Sequence, residues 1–141
     1  MGVSRFSSTT PVTFPDVRFL IDEGTNPGGV VTYCDTNTNL LLVEIDNSLN
    51  TTAVYLKLWN VNAAASVTLG TDPPAMQLIC PATSTMTYTF TSAGTVGNSV
   101  VFDTGICYTI LTLPGTSGTG ADADEGLPEA VATLEMMGET Q

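Results

Sequence analysis

From position 85 to 91 the chain reads Thr85-Met86-Thr87-Tyr88-Thr89-Phe90-Thr91, a strict two-residue alternation. On an extended strand it places Met86, Tyr88 and Phe90 on one face and four threonines on the other, whereas on a helix the same residues would scatter around the axis. The segment is therefore expected to be a half-buried strand. The same period recurs at 54–59, where Val54, Leu56 and Leu58 share one face while Tyr55, Lys57 and Trp59 share the other. Between 40 and 46 the chain is apolar at first and then alternates, which points Leu41, Val43 and Ile45 inward and Glu44 and Asp46 to water.

Shorter strand candidates cover 17–21, 29–34, 66–69, 75–80, 99–103 and 106–113, each bounded by Gly, Pro, Asn or Asp turn chemistry. That makes about nine strands, with no long 3.6-period stretch between them, and such spacing favours an all-β sandwich or barrel over βαβ units. The 24 threonines and the low charged fraction, 12%, agree with a β protein rather than a helical bundle. A chain of 141 residues has room for one self-supporting core.

Composition shifts at both ends. Residues 1–16 are Ser/Thr-rich with Pro11 and Pro15, and only Phe6 and Phe14 offer apolar bulk, so an N-terminal arm is expected there. Residues 17–114 form the expected sandwich domain. Beyond it, 115–141 begins as a Gly/Thr/Ser linker, passes Asp122, Asp124 and Glu125, and ends in a segment that suits a short helix by propensity but also alternates Ala132, Leu134 and Met136 against Val131, Thr133 and Glu135. A closing strand or extended arm is the expectation.

Charge and residue inventory exclude much chemistry. Fourteen acidic residues against three basic ones give a formal net charge of −11, which repels nucleic acid and anionic membrane faces. There is no histidine, so neither a Ser-His-Asp triad nor a Cys-His pair can be built. Cys34, Cys80 and Cys107 lie far apart and match no metal knuckle; they are read as buried reduced thiols, with one disulfide plus an orphan as the competitor. The first ten residues carry no apolar run of the signal-peptide kind, and no stretch reaches the roughly 20 apolar residues of a membrane span, so synthesis in a cytoplasm is expected.

The motifs that remain are weak. Glu44 and Asp46 stand two apart on one strand face, roughly 7 Å by strand rise, a spacing of the order a glycosidase pair needs, but a solvated strand end explains them as well. Asp122-Ala123-Asp124-Glu125 lacks EF-hand spacing and reads as an acidic linker. Asn50-Thr51-Thr52 is a glycosylation sequon by chance match. Trp59 with Tyr55 would suit a sugar-stacking platform, although a single Trp on an apolar strand more often packs under a loop or at a subunit contact. No catalytic residue, metal ligand or cofactor is expected. Phe6, Phe14, Tyr55, Lys57 and Trp59 are the candidate interaction surface.

Four stretches carry a resemblance: Leu56-Lys57-Leu58-Trp59-Asn60, Val67-Thr68-Leu69-Gly70-Thr71-Asp72-Pro73-Pro74, Ala75-Met76-Gln77-Leu78-Ile79-Cys80-Pro81-Ala82 and Phe102-Asp103-Thr104-Gly105-Ile106-Cys107-Tyr108. In order and turn chemistry they resemble small tailed-bacteriophage virion proteins of the capsid decoration, or cement, type, over about 60 of the 141 residues. The chain departs from that pattern at 83–91, where a Gly-rich turn is expected, and in its Glu/Met-rich tail. The resemblance implies a jelly-roll-like β-sandwich with extended arms that sits on the outer capsid surface, binds the major capsid protein and works by surface shape. A compact β core with two low-complexity ends suggests a homotrimer at local threefold positions. The alternatives are a receptor- or glycan-binding module of a tail or head fibre, contacting through Tyr55, Trp59, Asn60 and Asn62, and an enzyme acting through Glu44 and Asp46.

Overall fold

Two antiparallel sheets face each other across one apolar layer, forming a β-sandwich. The fold is drawn from a computed structural model, which describes residues 3–7, 17–22, 29–90 and 100–140. In chain order its strands are β1 (Val3–Ser7), β2 (Val17–Asp22), β3 (Val31–Cys34), β4 (Thr38–Asp46), β5 (Val54–Trp59), β6 (Met76–Cys80), β7 (Thr85–Thr89), β8 (Val100–Phe102), β9 (Ile106–Leu111) and β10 (Thr133–Thr140). The first sheet runs β1-β2-β10-β4-β7, with β8 also paired to β4; the second runs β3-β9-β5-β6.

Alternation does what the pattern demands. Val54, Leu56 and Leu58 on β5 are fully buried, and Met86 and Tyr88 on β7 pack against the core while Thr85, Thr87 and Thr89 are exposed. From the first sheet Leu20, Val43, Ile45, Leu134 and Met136 point inward; from the second come Tyr33, Cys80, Ile106 and Tyr108. The sheets are also tied by polarity, since the Tyr108 hydroxyl donates to the Asp22 carboxylate at 2.7 Å in a site where both are buried.

Three expectations are corrected. First, 66–69 is not a strand: a single 3-10 turn covers Ala64–Ser66, and the Asp72 carboxylate accepts the Thr68 N–H at 2.7 Å while Asp72 N–H returns to the Thr68 carbonyl at 2.9 Å. Local side-chain capping outcompetes the ladder there. Second, Leu40 and not Leu41 takes the inward place on β4. A β-bulge between Met137 and Gly138 shifts the register so that Met137 pairs with Leu42 and Gly138 with Leu40. Glycine suits the bulge because a Cβ there would lie 2.7 Å from Thr38 Cγ2 and 2.9 Å from the Tyr33 hydroxyl.

Third, of the two forms expected of the C-terminal segment, the closing strand is the one that forms, and it is no projecting arm. β10 lies between β2 and β4, pairing Leu134 with both Asp22 and Ile45, and is the central strand of its sheet. Residues 112–127 fold back over the outward face of the second sheet, where Thr112 N–H donates to the Gly126 carbonyl at 2.8 Å and Gly115 N–H to Gln77 Oε1 at 2.7 Å. Within the expected N-terminal arm, Val3–Ser7 is a strand paired to β2; Phe14 lies outside the described residues.

Candidate interaction faces

A sandwich presents two outward faces, and here they differ. On the second sheet Lys57 sits opposite Thr109 on β9 and Gln77 on β6. Its side chain is only 1% exposed, and its ammonium donates to the Ser117 carbonyl at 2.7 Å, fastening the 112–127 strap. Burial pushes the Lys57 ammonium below its ordinary pKa. The strap holds its own shape through Asp122, whose carboxylate and carbonyl both accept the Glu125 N–H, and through the Gly120 N–H bond to the Glu125 carbonyl at 2.9 Å.

Trp59, on the same face, is 5% exposed, and its indole N–H donates to the Asp72 carbonyl at 3.2 Å, so the 60–75 loop closes over it. Tyr55 is half-buried. Lys57 and Trp59 therefore do not belong to an open interaction surface or a stacking platform; packing under the chain's own loops uses both polar ends. Asn60 is likewise engaged, donating to the Asp103 carboxylate and accepting the Thr104 N–H at 2.9 Å. That bond holds Asp103 below the usual carboxylate range.

The outward face of the first sheet is built from the alternate residues of β4 and β10. Leu42, Glu44 and Asp46 stand beside Met137, Glu135 and Thr133, all half-buried, with Thr89, Thr87 and Thr85 along the edge. Glu44 and Glu135 are direct cross-strand neighbours. Glu44 accepts the Thr87 hydroxyl at 3.2 Å; Asp46 accepts the Ser48 N–H at 2.9 Å and the Thr85 hydroxyl at 3.4 Å. Hydrogen bonds from Ser48, hydroxyl first and then amide, hold Asp46 below the usual carboxylate range. Glu44 and Asp46 thus share a face as the alternation predicts, fastened to threonines and a turn.

A buried polar knot closes one end of the sandwich. The Asn47 amide donates to the carbonyls of Thr52 at 2.9 Å, Cys80 at 3.3 Å and Pro81 at 3.0 Å. Asn50 donates to Asn47 Oδ1 at 2.8 Å and to the Ala130 carbonyl at 3.0 Å, and accepts the Ala130 N–H at 2.8 Å. Asn50 is 1% exposed, so the sequon is inaccessible in the folded protein. The paired amides two and five residues past Ile45 were the sequence signal for this knot, which pattern reading passed over.

The three cysteines are buried thiols outside any disulfide, as read from their spacing; burial raises the thiol pKa of Cys80 and Cys107. Among the described residues no group of three or more His, Cys, Asp or Glu is placed to hold a metal ion, and no helix is long and apolar enough to cross a membrane. No family model, curated protein or solved structure matches the chain.

Proposed function

We propose that this protein is a structural component of a bacteriophage virion, a decoration protein that binds the major capsid protein shell from outside and stabilises it, made in the host cytoplasm and acting as a homotrimer. The observation that carries the reading is the strand order. Leaving β1 aside, and taking β7 and β8 as one row because both pair along β4, the order is β2-β10-β4-β7/β8 in one sheet and β3-β9-β5-β6 in the other. Successive strands cross between sheets at every step except β5 to β6. This supports an eight-stranded jelly roll, an architecture common among viral shell proteins and lectins.

Fold alone does not assign a function. What directs the choice is the resemblance of the 56–108 region to phage decoration proteins, together with the placement of Trp59, the side chain best suited to sugar stacking, under the 60–75 loop. Buried thiols outside any disulfide suit a protein assembled in a reducing compartment.

The test is co-sedimentation of the purified full chain with shells of the virion assembled without it. Saturable binding at a fixed ratio to the major capsid protein, with raised resistance of the shell to heat, is expected. Absence of binding at any ionic strength would overturn the proposal.

A further inference from the structure

The sandwich has two edges, and they are built differently. At one lie β1 and β3; at the other lie β6 and, along β4, β7 and β8. An exposed edge offers backbone donors and acceptors to any other strand, and a chain that stays single guards it with charges, prolines or bulges. The first edge has such guards: β1 contains Arg5, and the register of β3 against β9 shifts between Thr32 and Cys34. Inside β6 and β7 there is no charge and no proline, and both hold one unbroken register against their partners. Among the described residues β6 pairs with a strand on one side only, and its Ile79 carbonyl takes the Tyr88 hydroxyl from across the gap between the sheets.

Charge and exposure follow the same division. Between Asp72 and Asp103 the chain carries no Asp, Glu, Lys or Arg, and that stretch supplies all three strands of the second edge. Among the described residues four large apolar side chains are exposed: Leu49 at 71%, Val101 at 48%, Val131 at 44% and Ile79 at 43%. Ile79 and Val101 stand on β6 and β8, and Leu49 projects from the turn that Thr83 N–H fastens to the Asn50 carbonyl at 2.9 Å. Val131 follows Ala130, which is bonded to the same Asn50. Glu44 and Asp46 lie one strand further in, where their carboxylates accept the Thr87 and Thr85 hydroxyls. Copies with a formal charge of −11 repel one another and meet at least cost where acids are fewest. A basic partner, by contrast, finds no carboxylate on these three strands to draw it.

We propose that the edge formed by β6 and β7 is the contact through which copies of this chain associate. The copy number rests on the homotrimer proposed above: three such edges turn toward the threefold axis and bring Ile79 of each copy beside its symmetry mates. Apolar and uncharged side chains fill the centre of the contact, so no carboxylate on these strands has to leave water.

The test is sedimentation equilibrium of the full chain, with shell co-sedimentation read separately on the same proteins. Ile79→Glu puts a charge on the edge, Ile79→Thr is the milder variant, and Thr116→Glu adds the same charge at an exposed position of the strap as a control. Thermal melts establish that each is folded. Wild type associates, Ile79→Glu weakens association by about tenfold or more, Ile79→Thr falls between, and the control stays within about twofold. In Ile79→Cys a short bismaleimide joins copies through the new thiol, because the native cysteines are buried. Association unaltered in Ile79→Glu, with no cross-link through Ile79→Cys, overturns the edge contact and leaves the decoration reading standing. A wild type that stays single at every concentration overturns the contact and the trimer, and shell binding then decides the decoration reading alone. Association that is lost in Ile79→Glu but closes at two copies supports the contact and overturns the threefold arrangement. Association through this edge without shell binding supports the contact and overturns the decoration reading.

Discussion

Replacing Asn50 by alanine should open the end of the sandwich where three connections meet. The side chain makes three hydrogen bonds, to Asn47 Oδ1 at 2.8 Å and to the Ala130 carbonyl and N–H at 3.0 and 2.8 Å. At about 1 kcal/mol net for each, the direct loss is about 3 kcal/mol. The Ala130 groups and Asn47 Oδ1 are then left with fewer partners in a site where Asn50 is 1% exposed, and partial desolvation brings the expected cost to about 3–5 kcal/mol. For a domain of this size that corresponds to a fall in Tm of about 10–15 °C by calorimetry or near-ultraviolet circular dichroism. Asn50→Asp is the companion. It keeps the volume and the bond from Ala130 N–H, but aims a carboxylate at two acceptors, so at neutral pH it should destabilise at least as much, with relief as acid protonates the group. A melting temperature for Asn50→Ala within about 3 °C of wild type would refute the view that these bonds hold the end together.

Four further outcomes are expected. Gly138→Ala should destabilise by about 1–3 kcal/mol in urea titrations, because the new Cβ meets Thr38 Cγ2 at 2.7 Å and the Tyr33 hydroxyl at 2.9 Å in the central strand; an unchanged midpoint would contradict the close approach. Lys57 has a folded-state pKa below 10.5, so the folded protein binds that proton less tightly than the unfolded chain, and its contribution to stability rises with pH through the interval from the lowered pKa to 10.5. The difference in unfolding free energy between wild type and Lys57→Met should climb across that interval, and a flat difference would show that the ammonium is not desolvated. Asp46 runs the opposite way: its lowered pKa contributes stability that is present above 3.8 and is lost as pH falls through the folded value, so Asp46→Asn should flatten the acid limb of the stability curve. Cys34, Cys80 and Cys107 should react with a maleimide only at the rate of unfolding or local opening, with rapid labelling in denaturant; fast labelling of the native protein would count against their burial.

Local alternation carried the strands whose two faces meet different environments. Met86 and Tyr88 against Thr85, Thr87 and Thr89 is a pattern that one strand displays without reference to any other, and so is Val54-Leu56-Leu58. What alternation does not carry is which strands lie side by side. β10 pairs with β2 and β4, partners at least 87 positions away, and nothing local in Thr133–Thr140 marks it as central. The displacement of Leu41 by Leu40 has the same origin: Leu41 is the residue left out of register when Met137 pairs with Leu42 and Gly138 with Leu40, which only the pairing with the distant β10 reveals.

The candidate site was legible in part. Tyr55, Lys57 and Trp59 do share a face, but whether that face is open depends on the 60–75 loop and the 112–127 strap, whose Gly, Ser and Thr residues read as a linker by composition. The bonds made by Lys57, Trp59, Gln77, Asp72, Asp122 and Glu125 turn those segments into covers. Phe6 was singled out as apolar bulk in a polar stretch; its place in a row with Phe19, Met137 and Leu42 depends on register across four strands, which no single segment encodes.

An electron cryomicroscopy reconstruction of the assembled virion is the most direct measurement. If the protein decorates the shell, density for the sandwich stands on the outer surface of the head at repeated positions. Density confined to the tail or a fibre would contradict it.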